Sequence, residues 1–469
     1  MPLVAGVDLS TQSTKVEVRD ADTGEVVATG RAPHPVVQPP RSEQEPSAWW
    51  DAFEQAWAAA GAPVVDAIAV GGQQHGMVVL DGTGAVVRPA KLWNDTESAA
   101  DAMWLLKQLP HGAAGWAAAS GTVPVAAITI TKLSWLHRRE PESWARLARV
   151  LLPHDWLTYQ LTGNLTTDRG DASGTGYWSP ATGEYCWDLL GLVDKDRDWT
   201  TAVPRVLGPT EQAGSWRGAV VGPGTGDNMA AALGLGLQPG DVTISIGTSG
   251  TVYAVSDTPT ADPAGEVAGF ADATGRFLPL VCTLNAAKVT DAVARLLGVD
   301  HAGLDELAVA SPSGAGGLVL LPYLDGERTP NRPDATGVLA GLRSDATRAE
   351  LARAAVEGVI CGLLDGLDAL GALVPTGGRL LLVGGGAESA AFPQVLADLA
   401  GRPVVVPAQR ELVAAGAACQ AAAVLGGVMP GAVARQWDLG VGRTVEPSTD
   451  AGAGADVRAA YAARRDAEA

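Results

Sequence analysis

Two short segments of similar chemistry lie far apart in the chain, and each has the pattern of a strand, a hydroxyl-rich turn and a second strand. Residues 10–14 lie within the apolar run 3–18, and residues 247–251 lie within the apolar run 242–255. Turns of this kind point backbone N–H and hydroxyl groups into a small concavity that suits a phosphate group. The repetition predicts two related halves that close on one polyphosphate.

Only the first of these turns has an acid, Asp8, at the end of its leading strand. A carboxylate beside a hydroxyl-rich turn is a suitable ligand for Mg²⁺ at a phosphate. The alternative is that Asp8 only closes a tight turn, which is a common use of aspartate. The motif alone leaves both interpretations open, and the second copy of the turn favours the metal hypothesis.

The length of 469 residues exceeds what one hydrophobic core usually serves and predicts two domains. The turn at 237–241 sets the boundary, which gives domains 1–236 and 237–447 and a tail 448–469.

The formal charge of −19 argues against nucleic acid and anionic membranes as partners. Four scattered cysteines without a CxxC pair, and no signal peptide or membrane span, predict a cytoplasmic protein.

Asp227 follows a glycine-rich stretch, Gly224-Thr225-Gly226, and precedes a helix predicted at 228–235. A carboxylate delivered to a helix start by a flexible loop can accept a proton from a substrate hydroxyl. The alternative is that Asp227 is the N-cap of the helix. The glycines favour the catalytic hypothesis, because a cap does not need them.

Two polar groups follow predicted strands and suit a polyol. Gln74 and His75 come after the strand at 64–70, and Trp93, Asn94 and Asp95 form the second group. A few polar side chains with one aromatic ring are typical of a sugar pocket. The alternative is ordinary loop polarity, with His75 as a surface histidine.

Three consecutive glycines at 384–386 lie between a predicted strand and a helix and suit a nucleotide. A dinucleotide fingerprint would need a third spaced glycine, and the chain has Ser389 there. Close packing of helix on strand is a further alternative.

The sequence contains no Walker A, HExxH or G-x-S-x-G motif, so a zinc enzyme or serine hydrolase has no support.

The helix pattern gives further expectations. Ser47 is expected to cap a helix, residues 92–95 to open a helix that reaches about 109, and residues 142–150 to be helical. Thr347 and Glu350 form a capping box before a long helix. The helix 414–425 is so rich in alanine that its neighbours must approach closely, and the tail after residue 448 is expected to fray.

Taken together, these motifs resemble the FGGY family of carbohydrate kinases, and the resemblance runs from about residue 4 to about residue 427. It rests on the following segments, which occur in the family's order: Asp8-Leu9-Ser10-Thr11, Ser42-Glu43-Gln44-Glu45-Pro46, Gln74-His75-Gly76, Trp93-Asn94-Asp95, Leu152-Pro153-His154-Asp155, Gly226-Asp227-Asn228, Ile246-Gly247-Thr248-Ser249-Gly250, Leu321-Pro322-Tyr323-Leu324-Asp325-Gly326-Glu327-Arg328-Thr329-Pro330 and Gly384-Gly385-Gly386-Ala387. Glu97 stands where related chains often have arginine.

The resemblance implies an α/β fold of two actin/hexokinase-like (ribonuclease H-like) domains with a central cleft. It implies that Asp227 is the general base and that Asp8 acts at the Mg²⁺-nucleotide as the metal ligand. The implied sugar-binding residues are Gln74, His75, Trp93, Asn94, Asp95 and Asn228. The implied ATP-binding residues are Ser10, Thr11, Lys15, Gly247, Thr248, Gly384, Gly385 and Gly386. The N-terminal domain would hold the sugar and the base, and the C-terminal domain would hold ATP.

The implied reaction is the ATP-dependent phosphorylation of D-xylulose to D-xylulose 5-phosphate, with Mg²⁺. One alternative is another family member acting on a ribulose, fuculose-type or glycerol substrate. A second is a catalytically silent sugar-binding protein on the same fold, against which the presence of both Asp8 and Asp227 argues. The sequence alone does not determine the oligomeric state, and a homodimer is the assembly that we take as the hypothesis.

Overall fold

The computed structural model describes residues 1–448 and 451–468, which form two compact units. The first consists of Met1–Leu237, Asp257–Leu278 and Gln409–Gly440. The second consists of Gln238–Ser256, Pro279–Ala408 and Val441–Ala469. The division of function between residues 1–236 and 237–447 stays a prediction.

The chain forms strands and helices in mixed order. The strands are β1 Leu3–Leu9, β2 Ser13–Asp20, β3 Val26–Pro33, β4 Glu43–Gln44, β5 Ala67–Gly72, β6 Val78–Leu80, β7 Ala90–Lys91, β8 Arg149–Leu151, β9 Thr166–Asp168, β10 Trp178–Ser179, β11 Glu184–Tyr185, β12 Arg205–Leu207, β13 Gly214–Trp216, β14 Ala219–Val221, β15 Thr225–Gly226, β16 Val242–Ile246, β17 Gly250–Ala254, β18 Ala268–Ala271, β19 Phe277–Thr283, β20 Val319–Leu321, β21 Val338–Ala340, β22 Leu380–Val383, β23 Val404–Pro407 and β24 Gly442–Val445.

The α-helices are α1 Pro46–Ala59, α2 Ala99–Leu106, α3 Ala113–Ser120, α4 Thr129–Arg139, α5 Pro141–Arg146, α6 Pro153–Thr162, α7 Arg169–Ala172, α8 Trp187–Val193, α9 Asp227–Gly234, α10 Ala287–Leu297, α11 His301–Ala310, α12 Arg348–Gly371, α13 Phe392–Ala400, α14 Leu412–Gly426, α15 Pro430–Gln436 and α16 Ala451–Ala467. Single 3₁₀ turns lie at Trp199–Thr201, Ala315–Gly317 and Gly385–Glu388.

The main sheet of the first unit has the strand order β13-β14-β5-β1-β2-β3, and β15 pairs with the end of β5. β1 and β2 are antiparallel, with Leu9 opposite Thr14, so residues 10–12 form the turn between them. β1 and β5 are parallel, with Asp8 opposite Gly71. Because parallel strands end at the same edge of a sheet, the segments that follow β1 and β5 lie side by side.

The second unit repeats this arrangement. Its sheet contains the strand order β19-β17-β16-β22-β23-β24. β16 and β17 are antiparallel around the turn 247–249, and β16 is parallel to β22, with Ser245 opposite Val383. The order β22-β16-β17-β19 thus matches β5-β1-β2-β3. The predicted strand-turn-strand units are confirmed in both halves.

Helix α14 lies very close to β1 and to α9. A Cβ atom added to Gly6 of β1 would lie 1.9 Å from the carbonyl oxygen of Ala414, and one added to Gly416 would lie 1.9 Å from that of Ala230. One added to Gly234 would lie 2.1 Å from the oxygen of Leu412. Only glycine allows backbones to approach this closely. The close packing predicted for the alanine-rich helix is therefore confirmed.

Several predicted helix limits are wrong. α1 begins at Pro46, so Ser47 is its second residue, because proline fits the first helical turn well. The segment 92–98 is loop, and α2 begins only at Ala99, because Asp95 is held in a buried network that is described below. α5 ends at Arg146, and residues 149–151 pair with β6 as β8.

The capping box at Thr347 and Glu350 is confirmed at the start of α12, with both reciprocal hydrogen bonds formed. The fraying expected after residue 448 is wrong for the described part of the tail, which forms α16. Tyr461 is buried beside Tyr323, with the two hydroxyls 3.5 Å apart, and Arg465 pairs with Asp365 at 2.8 Å. Alanine-rich sequence favours a helix, and these contacts suffice to dock it.

Within residues 1–448 and 451–468, no single helix is both long and apolar enough to cross a membrane. The pair α14 and α15 meets those limits only when taken together, with a bend of 112° between them.

The close packing of α14 gives a stability prediction. Gly416→Ala should lower the free energy of unfolding by about 1–3 kcal/mol, because the added methyl group would force the backbones of α14 and α9 apart. The measurement is urea unfolding followed by circular dichroism.

Gly426→Ala in the same helix is the matched control. The nearest side-chain neighbour of its added Cβ is Cγ2 of Val428 at 3.7 Å, so stability should hold or rise by up to about 1 kcal/mol. Equal stability of the two variants would contradict the proposed close contact.

Candidate active site

Asp8 lies at the carboxyl end of β1 and is buried. Its Oδ2 forms an ion pair with Nζ of Lys15 at 3.3 Å, and Lys15 also donates to Oε2 of Glu411 at 2.5 Å. Its Oδ1 is buried and has no hydrogen-bond partner among the described residues. Burial raises the pKa of Asp8 to about 6, although Lys15 acts in the opposite direction. A buried carboxylate oxygen without a partner suits a cation.

Asp227 is the first residue of α9, and Gly226 occupies the N-cap position, so the N-cap alternative for Asp227 is wrong. β15 brings it to the site, because Gly226 pairs with Gly72 at the end of β5. Oδ1 of Asp227 accepts hydrogen bonds from the backbone N–H and the side-chain amide of Asn228, at 2.8 and 3.0 Å. Burial, followed by the negative charge of Asp8, raises the pKa of Asp227 to about 7. A carboxyl with a pKa near neutrality is suited to general base chemistry.

The glycines before Asp227 have a steric reason. Gly224 has a φ of 76°, and an added Cβ would lie 2.7 Å from the carbonyl oxygen of Val70. An added Cβ on Gly226 would lie 2.6 Å from Cγ of Gln74. The loop therefore runs directly against β5 and the residue that follows it, which places Asp227 beside Gln74.

Several amide groups lie around this edge of the sheet. The side-chain amide of Asn228 donates to Oε1 of Gln74 at 2.9 Å. Nε2 of Gln73, Nε2 of Gln74 and Oδ1 of Asn94 are buried without a partner in the part of the chain that the structure describes. Buried amides without partners are rare in folded proteins, and both donors and an acceptor are present here. This combination suits a ligand with several hydroxyl groups.

His75 follows in a left-handed backbone conformation with a φ of 65°. Its Nδ1–H donates to the carbonyl oxygen of Gly174 at 2.8 Å, and its ring lies 5.5 Å from that of Phe270. A non-glycine residue with positive φ is uncommon and is often found at functional sites. The backbone conformation, the hydrogen bond to Gly174 and the contact with Phe270 thus fix the orientation of the His75 ring, which is a predicted sugar contact.

Trp93 is 42% exposed, and its indole N–H donates to Oγ1 of Thr11 at 3.0 Å. Thr11 in turn donates to Oε1 of Gln73 at 3.1 Å. This chain of hydrogen bonds joins the turn after β1 to the segment after β5. Ser10 closes the turn itself, since its hydroxyl donates to the carbonyl of Ser13 at 2.8 Å.

Asp95 is fully buried, and its observed contacts are with the protein. It accepts hydrogen bonds from Nζ of Lys91 at 3.0 Å and from the backbone N–H of Ser42 at 2.9 Å. Lys91 also pairs with Glu97 at 2.6 Å. These bonds fix the loop that carries Trp93 and Asn94. A direct role for Asp95 at a sugar stays a prediction.

The predicted nucleotide residues of the second unit lie at the ends of two adjacent parallel strands. Gly247 and Thr248 form the exposed turn after β16, and the glycines 384–386 follow β22. Gly384 has a φ of 81°, and an added Cβ would lie 2.6 Å from the carbonyl oxygen of Ile246. An added Cβ on Gly386 would meet the side chain of Ile246 at 2.5 Å. The structure thus brings the two turns together as an accessible backbone surface.

Sequence reasoning missed the contribution of α14 to the first unit's site. The backbone N–H of Gly224 donates to Oε1 of Gln420 at 2.9 Å, and Nε2 of Gln420 donates back to the carbonyl of Gly224 at 3.0 Å. Glu411 pairs with Lys15 as described above. A single amide in the apolar, alanine-rich stretch 412–426 was the available signal, since a buried polar group needs a specific partner.

The chain matches two family descriptions: the FGGY family of carbohydrate kinases, N-terminal domain, over residues 3–234, and C-terminal domain, over residues 242–425. The xylulose kinase of Streptomyces coelicolor is 49% identical over 457 residues, which is 95% of this chain and 92% of the relative. The xylulose kinase of Escherichia coli is 36% identical over 418 residues, 85% of this chain and 84% of the relative. The crystal structure of xylulose kinase from Bifidobacterium adolescentis superposes with a TM-score of 0.89 at 43% identity and covers 99% of each chain.

Proposed function

We propose that this chain, which belongs to the FGGY family of carbohydrate kinases, transfers the terminal phosphoryl group of ATP to D-xylulose and forms D-xylulose 5-phosphate. The two family matches confirm the predicted family, and the superposition on a xylulose kinase structure confirms the predicted actin/hexokinase-like α/β fold. The observation that carries the proposal is the pair of carboxyls, Asp8 and Asp227, at one edge of the sheet, beside buried amide atoms that have no hydrogen-bond partner among the described residues. The names of the relatives support D-xylulose as the sugar.

Asp227 is the proposed general base. Its pKa of about 7 keeps a substantial fraction ionised at neutral pH, while the carboxylate remains basic enough to accept a hydroxyl proton. Because Oδ1 already accepts two hydrogen bonds from Asn228, Oδ2 is the oxygen that we propose takes the proton. Asn228 then keeps the carboxylate oriented, and its link to Gln74 joins the base to the sugar-binding residues.

The sugar would be bound by the residues around this base. The proposed contacts are Gln74, His75, Trp93, Asn94, Asp95 and Asn228. Nε2 of Gln74 and Oδ1 of Asn94, which have no partner among the described residues, would bind hydroxyls, and the exposed ring of Trp93 would pack on a C–H face. These contacts hold the hydroxyl near the base, which is the main catalytic requirement in phosphoryl transfer.

Asp8 is the proposed ligand for Mg²⁺, directly or through a water molecule, because its buried Oδ1 has no partner among the residues described. The ion neutralises charge on the phosphate oxygens when it is bound. Lys15 would supply a further positive charge. The other proposed ATP contacts are Ser10, Thr11, Gly247, Thr248, Gly384, Gly385 and Gly386.

Location and assembly remain part of this proposal. The four cysteines form no disulfide within the described residues. The cytoplasmic location stays a prediction. A homodimer stays a prediction, which size-exclusion chromatography with light scattering would test.

A panel of sugars tests the proposed function. The purified chain with MgATP should produce ADP with a higher kcat/KM for D-xylulose than for ribulose, fuculose-type ketoses or glycerol. We expect a margin of about 10²-fold or more, because misplaced hydroxyls leave buried amides unpaired. A higher value for another sugar would replace D-xylulose as the substrate, and sugar binding without ADP release would favour a silent binding protein.

Replacement of the base should remove turnover. Asp227→Asn should lower kcat by about 10²–10⁴-fold, because the amide cannot accept the hydroxyl proton. In the wild type, kcat/KM should fall as the pH drops below about 7, because protonation of Asp227 removes the base. Asp51→Asn, at an exposed carboxyl on α1, is the control and should leave kcat unchanged. Near-normal turnover of Asp227→Asn would refute the assignment.

The metal role of Asp8 is tested by magnesium titration. Asp8→Asn should raise the Mg²⁺ concentration needed for half-maximal rate by about tenfold or more, because a carboxylate binds this ion better than an amide does. The KM for the sugar should change little. An unchanged Mg²⁺ dependence would exclude Asp8 as the ligand.

A further inference from the structure

A buried ion pair lies directly behind the residues proposed to handle the sugar. His154 of α6 and Asp171 of α7 are both fully buried, and Nδ1 of His154 lies 2.6 Å from Oδ2 of Asp171. Nε2 of the same ring lies 3.2 Å from Oδ1 of Asp155 and 4.0 Å from Oδ1 of Asp168. One imidazole therefore faces three carboxyl groups.

We propose that the His154–Asp171 ion pair is a positioning device that holds both Asp227 and His75 in place for sugar phosphorylation, and this inference rests on the proposed function. Neither His154 nor Asp171 is assigned a contact with substrate. Their effect passes through two short backbone segments, one on each side of the pair.

The first segment leads to Asp227. Oδ2 of Asp168 accepts a hydrogen bond from Oγ1 of Thr225 at 2.7 Å, and Asp168 also accepts from the backbone N–H groups of Gly170 and Asp171, at 2.8 and 2.9 Å. Thr225 is only two residues before Asp227. A Cβ added to Gly224 would lie 2.5 Å from Cδ2 of His154, so the imidazole ring forms the wall against which this loop runs.

The second segment leads to His75. The backbone N–H of Gly174 donates to the carbonyl of Asp171 at 3.0 Å, and the carbonyl of Gly174 accepts from Nδ1 of His75 at 2.8 Å. A Cβ added to Gly174 would lie 2.5 Å from the His75 ring. The position of Asp171 therefore sets the turn that fixes the imidazole of His75.

Burial raises the pKa of Asp171 to about 6 and that of Asp155 to about 7, while the neighbouring His154 lowers both. Burial lowers the pKa of His154, but Asp155, Asp171 and Asp168 outweigh this effect and raise it to about 10, so the ring stays protonated. The imidazolium is the cationic partner of these buried carboxyl groups, and its loss removes the charge that favours their ionised form. Because desolvation offsets much of the attraction in a buried ion pair, its net contribution to stability is often small. The role argued for this pair is therefore geometric.

The experiment compares His154→Gln, Asp171→Asn and the double variant on D-xylulose. Each single variant should lower kcat by about 10–100-fold and raise the KM for the sugar, since small misplacements of reacting groups are costly, while the KM for ATP should stay within about twofold. The double variant should recover at least about tenfold in kcat over His154→Gln, because the neutral amide pair restores a hydrogen bond and removes the carboxylate that lies nearest to residue 154.

His137→Gln is the matched control. His137 lies in the same unit, donates to the carbonyl of Val193 at 2.8 Å and stacks on Trp144 with ring centroids 4.5 Å apart. Its substitution should lower the melting temperature without changing kcat. Equal changes in the KM for both substrates, unchanged kinetics in the single variants, or no recovery in the double variant would overturn the proposal.

A second variant covers the case in which His154→Gln does not fold. Thr225→Val keeps the volume and removes only the hydroxyl that Asp168 accepts. It should lower kcat by about tenfold and leave the KM for ATP unchanged. Wild-type kcat in Thr225→Val would contradict the path to Asp227.

The design separates this inference from the proposed function. If the wild-type protein prefers another sugar, D-xylulose is excluded as the substrate, and the kcat and KM ratios of variant to wild type are measured with that sugar instead. If the wild-type protein phosphorylates no sugar, its affinity for sugar is measured by isothermal titration calorimetry. An unchanged affinity in His154→Gln then overturns the positioning role.

Discussion

The contact between α14 and its neighbours is the constraint on which the first unit's site depends. Peptide oxygens of α14 and α9 occupy the space where side chains of Gly6 and Gly416 would otherwise lie. β1 ends at Asp8, α9 begins at Asp227, and α14 supplies Glu411 and Gln420. One helix therefore fixes the spacing of both carboxyls. The same close packing excludes water from them, which is why burial is the leading cause of the raised pKa of each.

The features that the sequence predicted best are local ones. A strand, a hydroxyl-rich turn and a second strand are encoded within about twenty consecutive residues, so both copies were found. The capping box at Thr347 was found for the same reason, since its two partners are three residues apart. The glycines before Asp227 correctly marked an unusual backbone position, and their steric cause became visible only when β5 and His154 were placed beside them.

The missed features depend on residues that are distant in sequence. Glu411 is 396 residues from Lys15, and Gln420 is 196 residues from Gly224, so no local pattern connects them. The limits of α2 were misplaced because Asp95 is held by Lys91, whose burial cannot be read from its neighbours. The tail was misjudged because its few apolar residues, with Tyr461 among them, meet a surface built by other parts of the chain.

The order in which the two units draw on the chain has a consequence for folding during synthesis. The first unit needs residues 409–440 as well as residues 1–237, and the chain enters the second unit between them. Until α14 leaves the ribosome, β1 and α9 lack the helix that covers them, and both carboxyls remain open to water. The nascent chain therefore carries an uncovered sheet face until residues 409–440 have been made, and apolar surface that is exposed in this way favours aggregation.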